Sequence, residues 1–361
     1  MLMDINGNTK INKMINGNIK SEKQYRMINL DSSSSLKEFS LDRRKYYKKY
    51  FLNERIEEES NQASKIGSLV DLLLFEPEKF DAKFYLSSTA KPLTGKMADF
   101  VNALVDITIA NTDEAGNVNK SFEDMATEAR IIAQFDWKLP VILDKFIGKD
   151  PELLYKEMRE VKSKGLTIIT LQDVQNSERI VEDLKSNEFT APIINLVNSD
   201  RYSVYNQFQI EDFEIDGLKL KGMMDKLIID HKKKTISCYD LKCTFSVEGF
   251  YTEYYLFRRS YIQAYLYMEA CTELKEREGL EYYTIECPKF IVCDSIGYYA
   301  PLIYTLNSDD MDDAYNGFEY KGRKYPGVKS IIEELKWAKE NDKWNISKKN
   351  YENGGFVNIK G

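Results

Sequence analysis

The sequence predicts an α+β fold, a mixed α/β arrangement in which a central mixed β-sheet is flanked by helices. Up to about residue 200, amphipathic stretches of helical length dominate, for example at 95–110 and 121–135. After that point, stretches of strand length are rich in β-branched and aromatic residues, and a long helix candidate at about 251–274 interrupts them. Helices followed by strands, one helix and a further strand lack the regular alternation of a doubly wound fold.

The individual elements follow from local signals. The first helix should begin among the N-cap candidates Ser32–Ser35, and it is followed by a basic, Tyr-rich run at 43–51. A second helix should begin near Ser64 and end before Pro77, because the residue before a proline disfavours helix. The predicted strands are YSVYNQFQI at 202–210, LKLKGMMDKLIID at 218–230, KTISCYDLKC at 234–243 and KFIVCDSIGYYAPLIYTL at 289–306.

We expect one elaborated domain, because 361 residues can bury a single large core. The first residues are rich in Asn, Lys and Gly and contain INGN twice, which is typical of a flexible tail. The helical N-terminal elaboration contributes to the same domain as the sheet. The predicted segments are a tail at 1–28, a helical region at 29–200, a core at 201–310, and a C-terminal helix and tail at 311–361.

Composition and charge restrict the function classes. A formal net charge of -7 argues against a protein that coats nucleic acid by bulk electrostatics. It leaves room for an enzyme that needs carboxylates for a metal ion and only a local basic track. Five cysteines, an odd number without CxxC spacing, indicate reduced thiols in the core. No apolar run approaches the ~20 residues of a membrane span, so we expect a cytoplasmic protein without membrane contact.

A hairpin carries the residues of chemical interest. Two strand-like stretches are joined by the four-residue loop His231–Lys234, a common hairpin length. The symmetric register pairs Ile229 with Ile236 and Leu227 with Cys238 on an apolar face. Two residues further along each strand, it places Asp225 opposite Asp240. We expect the histidine of the loop to be solvated and without a catalytic role.

Two carboxylates and an ammonium should converge at one end of this hairpin. Directly opposed like charges destabilise a strand pair unless something neutralises them, and a divalent cation between Asp225 and Asp240 would do so. Lys242 emerges on the same face as Asp240 because side chains alternate along a strand. This set suits phosphodiester hydrolysis, with Mg²⁺ on the carboxylates and Lys242 orienting water or stabilising the transition state. Solvated strand ends with a neutralising lysine would give the same pattern, because D-x-K also occurs by chance.

These residues resemble the motifs of the PD-(D/E)xK nuclease superfamily, in particular its RecB-like and phage recombination exonuclease branch, which includes RecE-like enzymes. In that family a G-x-x-D strand precedes a D/E-x-K strand, as Gly222–Asp225 precedes Asp240–Lys242 here. A Q-x-x-x-Y motif follows on the next helix, and Gln263 and Tyr267 match it at a spacing that places both on one helix face. An N-terminal S-x-S-x-L-x-x-F signature is matched by Ser32, Ser34, Leu36 and Phe39.

The resemblance implies a restriction-endonuclease-like core with Mg²⁺ as the cofactor and Mn²⁺ as a substitute. The implied metal ligands are the carboxylates of Asp225 and Asp240 and the backbone carbonyl of Leu241. Asp71 stands where relatives carry a motif histidine, in the sequence GSLVD. It either adds a third carboxylate to an active site or weakens the site. Iron-sulfur relatives have a cysteine before the core, and the first cysteine here is Cys238, so we expect no iron-sulfur cluster.

The resemblance also implies DNA as the substrate and partner. We expect phosphate contacts from Arg258 and Arg259, which precede Gln263. The basic, aromatic run that starts with Arg43 and Arg44 either follows a DNA strand or forms a solvated helix face. The serines of the N-terminal signature, Ser32 and Ser34, are further candidates for DNA binding.

Three functions remain open on these residues. The leading one is an exonuclease acting on DNA ends in phage-type recombination or DNA processing, in the host cytoplasm if a phage encodes it. Such relatives allow a ring-shaped homo-oligomer and a single-strand annealing or recombination protein as partners. The alternatives are a structure-specific endonuclease and a weakly active nuclease-fold protein that holds DNA or a partner; the aspartate at the histidine position motivates the last.

Overall fold

The computed structural model describes residues 20–54, 62–87, 93–113 and 115–359. The chain divides into two compact units, one formed by Met1–Asp71 with Ile180–Gly361 and the other by Leu72–Arg179. Within the described ranges, no helix is long and apolar enough to cross a membrane. The strands are β1 (Phe84–Leu86), β2 (Thr167–Ile169), β3 (Tyr202–Ile215), β4 (Leu218–Asp230), β5 (Thr235–Thr244), β6 (Thr284–Ile285), β7 (Lys289–Asp294), β8 (Leu302–Thr305), β9 (Gly317–Tyr320) and β10 (Arg323–Pro326).

Helices make up much of the rest of both units. Two π-helical segments, Tyr47–Phe51 and Tyr251–Phe257, and a short 3-10 turn at Pro77–Lys79 accompany them. The α-helices are α1 (Glu22–Met27), α2 (Ser33–Leu41), α3 (Arg43–Tyr46), α4 (Gln62–Phe75), α5 (Phe80–Lys83), α6 (Gly95–Ala110), α7 (Phe122–Ile132), α8 (Leu139–Phe146), α9 (Asp150–Ser163), α10 (Leu171–Ser186), α11 (Ala191–Ile194), α12 (Ser260–Arg277), α13 (Ser308–Asn316), α14 (Val328–Asn341) and α15 (Lys348–Glu352).

A six-stranded mixed sheet organises the larger unit. Its strand order is β3-β4-β5-β7-β8, and the short β6 also pairs with β5. The β3–β4, β4–β5 and β7–β8 pairs are antiparallel, whereas β5 pairs with β6 and β7 in parallel. The helix α12 lies between β5 and β7 in the chain, as a parallel connection requires. The predicted α+β class with a central mixed sheet is confirmed.

The predicted hairpin register is confirmed where β4 and β5 pair. Ile229 lies opposite Ile236 and Leu227 opposite Cys238, and all four side chains are fully buried. The four-residue turn lies between Asp230 and Thr235 as predicted. The loop histidine is not simply solvated: His231 Nε2 shares a hydrogen bond with Ser203 Oγ and Nδ1 shares one with the Tyr283 hydroxyl. His231 is half-buried and thus less solvated than predicted, whereas the rest of the turn, at 232–234, is exposed.

The core of the larger unit forms where helices cover the sheet. Residues of α12, including Tyr261, Ile262 and Leu266, are buried in one cluster with the apolar face of the hairpin. The predicted helix at about 251–274 is really two elements, because Arg259 adopts a left-handed conformation with φ of 56° between the π-helical segment and α12. This break starts α12 at Ser260, immediately before the residues of the Q-x-x-x-Y motif.

The predicted tail at 1–28 is wrong for its last part, whereas its first 19 residues lie outside the described residues. The helix α1 begins with a capping box formed by Ser21 and Gln24. At its other end, the buried Lys221 Nζ donates to the carbonyl oxygens of Tyr25, Arg26 and Ile28. A tertiary contact thus stabilises a segment whose composition alone favours disorder.

Residues 180–200, which the sequence places in the helical region, belong to the compact unit of the sheet. The buried Lys226 of β4 donates from Nζ to the carbonyl oxygens of Ile194 and Leu196 and to Asn206 Oδ1. These bonds connect the helix α11 and the loop after it to the sheet.

The smaller unit has its own helical core. Phe100 and Leu104 of α6 pack with Ile142 and Phe146 of α8, and all four side chains are buried. The unit is not purely helical as predicted, because β1 and β2 form a short parallel pair. These strands have only three residues each, which is too short for a recognisable alternation in sequence.

Candidate active site

Asp240 is the centre of the candidate site. It lies on β5 and is 3% exposed. Gln263 Nε2 of α12 donates to Asp240 Oδ1 over 2.6 Å, and the Tyr267 hydroxyl lies 3.1 Å from the same oxygen. The other oxygen, Oδ2, forms an ion pair with Lys242 Nζ without a hydrogen bond of ordinary geometry. The D-x-K and Q-x-x-x-Y motifs therefore meet at one carboxylate.

Asp225 lies beside this group but is not paired across the sheet with Asp240. The paired positions of β4 and β5 end at Lys226 and Tyr239, one step before the two aspartates. Beyond this step, Asp225 Oδ2 accepts a hydrogen bond of 2.6 Å from the backbone N–H of Leu241. The predicted register is right, but the carboxylate itself takes the place of a ladder hydrogen bond.

Burial raises the pKa of Asp225 well above its ordinary value, and the neighbouring charges of Asp240 and Asp71 raise it further. For Lys242, burial lowers the pKa, but the carboxylates of Asp240 and Asp225 outweigh it, and the net shift is upward. The Lys242 ammonium thus remains charged. A further positive charge placed between the clustered carboxylates would stabilise their ionised forms.

Asp71 reaches the site from helix α4. Its carboxylate accepts a hydrogen bond from Gln207 Nε2, at 3.0 and 3.1 Å from its two oxygens. Four residues earlier, Gly67 allows α4 to lie close to β5, since a Cβ there would meet Cys243 Cβ at 3.3 Å. The helix can therefore direct Asp71 into the same cleft as Asp225 and Asp240.

Tyr267 connects the helix to the strand that carries Asp225. Its hydroxyl lies 2.6 Å from the carbonyl oxygen of Met223 and accepts a hydrogen bond from Gln263 Nε2 over 2.7 Å. Burial, followed by the charges of Asp240 and Asp225, raises the pKa of Tyr267 well above its ordinary value, so this hydroxyl keeps its proton.

Lys37 belongs to the site, although the sequence analysis missed it. It lies on α2, and its Nζ donates to Gln263 Oε1 over 2.7 Å. Burial lowers the pKa of Lys37 to about 7, with a further lowering from Lys242 and a partial offset by Asp240. Its position between Leu36 and Phe39 of the serine-rich signature was the only sequence signal, and that signature assigns no role to a lysine.

The site opens into a cleft of about 1040 Å³. Its lining combines the carboxylates described above with serines, aromatic rings and cations. Ser32 and Ser34, both predicted to bind DNA, lie in this lining. Further residues that line the cleft are Arg26, Lys49, Tyr50, Phe51, Leu241, Lys242, Gln263, Tyr267 and Lys339.

The four arginines predicted to bind DNA do not line the cleft. Arg43 donates to Glu334 and to the carbonyl oxygen of Ile346, and Arg44 is exposed near Asp42. The other two are Arg258, which lies over the ring of Tyr254, and Arg259, which donates to the carbonyl oxygen of Ser40. Arg43 and Arg259 thus have structural contacts that a local charge pattern cannot reveal.

The donor chemistry of the site fits a hard divalent cation. No group of three or more His, Cys, Asp or Glu residues among the described ranges is arranged to hold a metal ion. Mg²⁺, however, commonly uses one or two carboxylates and completes its shell with water and substrate phosphate. Asp225 and Asp240 supply two carboxylates, and the buried Asp240 Oδ2 pairs with the Lys242 ammonium but accepts no hydrogen bond of ordinary geometry. The five cysteines are free thiols, and none lines the cleft.

The chain matches no known protein family in sequence, and it matches no curated protein. Among solved structures, it is similar to the crystal structure of a "Putative exonuclease" from Eubacterium rectale, at 12% sequence identity and a TM-score of 0.44. The similarity covers 94% of this chain and 89% of that chain.

Proposed function

We propose that this protein is a metal-dependent DNA nuclease of the PD-(D/E)xK type. Among such nucleases, we favour an exonuclease that hydrolyses phosphodiester bonds at DNA ends. The observation that carries the proposal is the buried contact network around Asp240, in which Lys242, Gln263 and Tyr267 all meet its carboxylate. A solvated strand end with a neutralising lysine would not bury Asp240 or bring Gln263 and Tyr267 of a distant helix to its carboxylate. Asp225 lies next to this network through its bond to Leu241.

The contacts of each site residue indicate the role it would have in the proposed reaction. Asp225, Asp240 and the Leu241 carbonyl would hold Mg²⁺ or Mn²⁺, with Asp71 as a further carboxylate. The bound cation would supply Lewis-acid chemistry and neutralise charge on the phosphate. Lys242, charged and 21% exposed in its side chain, is placed to orient water or to stabilise the charge of the transition state.

The cleft suits one strand of a polyanion. Arg26 and Lys49 contribute local positive charge to a chain whose net charge is negative, and Ser32 and Ser34 add hydrogen-bonding groups. Tyr50 and Phe51 offer ring surfaces on which a base can stack. The local basic track that a nuclease needs is therefore assigned to these residues instead of the four predicted arginines.

A protein that uses this fold to hold DNA while cutting poorly is the second candidate. It is favoured by Asp71 at the usual histidine position and by a carboxylate set that is not preassembled around a metal ion. In either case we propose a cytoplasmic protein, in the host if a phage encodes it. A ring-shaped homo-oligomer and an annealing or recombination protein are the partners proposed for the exonuclease.

The deciding experiment follows the products from linear duplex labelled at either end and from closed circular DNA, with Mg²⁺ or Mn²⁺. Loss of linear DNA alone, abolished by Asp240→Ala, supports the exonuclease. Nicking of circles would indicate the endonuclease, and binding without cleavage would favour the second candidate. Asp230→Asn is the control, since it removes a buried carboxylate at the other end of the same hairpin and should leave cleavage in place.

A further inference from the structure

The side-chain amide of Gln263 has different partners on its two sides. Its Oε1 accepts a hydrogen bond from Lys37 Nζ over 2.7 Å. Its Nε2 donates to Asp240 Oδ1 over 2.6 Å and to the Tyr267 hydroxyl over 2.7 Å. The amide is buried, with Gln263 only 8% exposed, so water has little access to replace these partners.

The orientation of this amide depends on Lys37. An amide turned by 180° would present its NH₂ group to the Lys37 amino group and its carbonyl oxygen to the Asp240 carboxylate. The contact with Asp240 would be repulsive because it brings together two acceptors, and the contact with protonated Lys37 would be repulsive because it brings together two donors. Lys37 and Asp240 therefore select the same orientation of Gln263 from opposite sides.

This orientation also determines which oxygen of Asp240 faces the reaction. With Oδ1 held by Gln263, Oδ2 is left to meet Lys242. Without the bond from Lys37, Gln263 loses the partner of its Oε1 and can withdraw, and the Asp240 carboxylate is then free to rotate. A carboxylate that rotates is a poorer ligand, since outer partners of a metal ligand govern its orientation.

We propose that Lys37 is a positioning residue of the nuclease site, which acts on Asp240 through the amide of Gln263 and thereby on metal binding. The inference rests on the proposed function and deepens it. A direct contact of Lys37 with DNA phosphate is disfavoured, because Lys37 does not line the cleft and its Nζ is directed at Gln263.

The test compares three single variants, Lys37→Met, Lys37→Arg and Gln263→Met, with the double variant that combines Lys37→Met and Gln263→Met. Lys37→Met should lower kcat by about 10- to 100-fold and raise the Mg²⁺ concentration for half-maximal rate, with unchanged KM for an end-labelled linear duplex. Lys37→Arg keeps a donor and should recover a large part of the loss. In the Gln263→Met background, Lys37→Met should have little further effect, because the group through which it acts is gone.

A readout without cleavage keeps the inference separate from the proposed function. Isothermal titration of each variant with Mn²⁺ alone should show weaker binding for Lys37→Met and recovery for Lys37→Arg. Lys289→Met serves as the control, since Lys289 is also largely buried and pairs with Glu286 away from the cleft. Circular dichroism confirms that each variant is folded, and Lys37→Gln replaces Lys37→Met if the latter does not fold.

Each outcome has one meaning. If the effects of Lys37→Met and Gln263→Met on kcat multiply in the double variant, the two residues act independently. Together with weaker DNA binding and a smaller dependence of DNA affinity on salt concentration, this result would overturn the inference in favour of a phosphate contact. Wild-type metal binding and rate in Lys37→Met would also overturn it. If the wild-type protein cleaves no DNA, the proposed function fails, and the Mn²⁺ titrations alone still decide whether Lys37 positions Asp240.

Discussion

The Tyr267 hydroxyl donates to the carbonyl oxygen of Met223 over 2.6 Å and thereby ties helix α12 to strand β4 two residues before Asp225. The same oxygen accepts a hydrogen bond from Gln263. The tyrosine of the Q-x-x-x-Y motif therefore contacts the strands of both acidic motifs, the β4 strand through Met223 and the β5 strand through Asp240. These contacts bridge the two strands beyond the point where their paired positions end.

Tyr267→Phe should lower both stability and activity. The substitution keeps the ring but removes the hydroxyl, so the Met223 carbonyl loses its donor at a cost of about 1 kcal/mol in the free energy of unfolding. The rate should fall by about tenfold, because Gln263, which donates to Asp240 Oδ1, loses the hydroxyl oxygen that its Nε2 also contacts. Urea denaturation and single-turnover cleavage measure the two effects. A stable variant with a normal rate would contradict the role assigned to the hydroxyl.

Asp225→Asn should stabilise the metal-free protein while abolishing cleavage. The raised pKa of Asp225 means that its ionised form is disfavoured in the folded state. Its contribution to stability is fully present below the unfolded pKa and is lost as pH rises through the folded pKa. At neutral pH, the neutral asparagine avoids this loss and can still accept from Leu241, so the Tm in EDTA should rise by roughly a few degrees.

Thermal denaturation of wild-type protein and Asp225→Asn, each with EDTA and with excess Mg²⁺, checks this expectation. Mg²⁺ should raise the Tm of the wild type more than that of the variant, since binding to the folded state alone stabilises it. A lower Tm of the variant in EDTA would show that the carboxylate is well accommodated without a cation.

Asp71→Asn should raise the Mg²⁺ concentration needed for half-maximal cleavage. The asparagine retains an oxygen for Gln207 but removes one negative charge from the group around Asp225. The maximal rate at saturating Mg²⁺ should change less than the half-saturation point, because the other two carboxylates remain. A metal titration of the cleavage rate measures both quantities, and an unchanged half-saturation point would place Asp71 outside the metal site.

Lys226 should make stability depend on pH in the alkaline range. Burial lowers its pKa to about 8 from the ordinary lysine value of 10.5. Between these values the unfolded chain binds a proton that the folded protein does not, so stability from this group rises with pH across that window. Urea denaturation at about pH 7 and pH 9.5 should show this rise in the wild type and a smaller one in Lys226→Met. Equal rises in both proteins would refute the assignment.

Some of the site could be predicted from sequence because it depends on local periodicity. The period of two residues in a strand, together with a four-residue turn, determined the hairpin register that brings Leu227 opposite Cys238. The helical period placed Gln263 and Tyr267 on one face, and their hydrogen bond confirms it. The mixed sheet followed from the order of helix-like and strand-like stretches.

Other features depend on contacts between distant residues and left no local signal. Lys37 and Gln263 are separated by 226 positions, so nothing around Lys37 indicates its partner. Arg43 and Arg259 were predicted to contact DNA from their charge, whereas Glu334 and the Ser40 carbonyl hold them in the protein. The left-handed Arg259 that divides the predicted helix also lacks a sequence signal, because non-glycine residues rarely adopt this conformation.

The three carbonyl oxygens that accept from Lys221 hold the N-terminal segment in the wall of the cleft. Residues 25–34 form a continuous stretch of the cleft lining, although Asp225 and Asp240 in the same lining come about 200 residues later in the chain. A polypeptide trimmed to begin after Ile28 would keep Asp225, Asp240 and Lys242. The buried Lys221 ammonium, however, would lose its three carbonyl acceptors. Limited proteolysis in this helix would therefore change the shape of the proposed DNA-binding cleft while leaving the proposed catalytic residues intact.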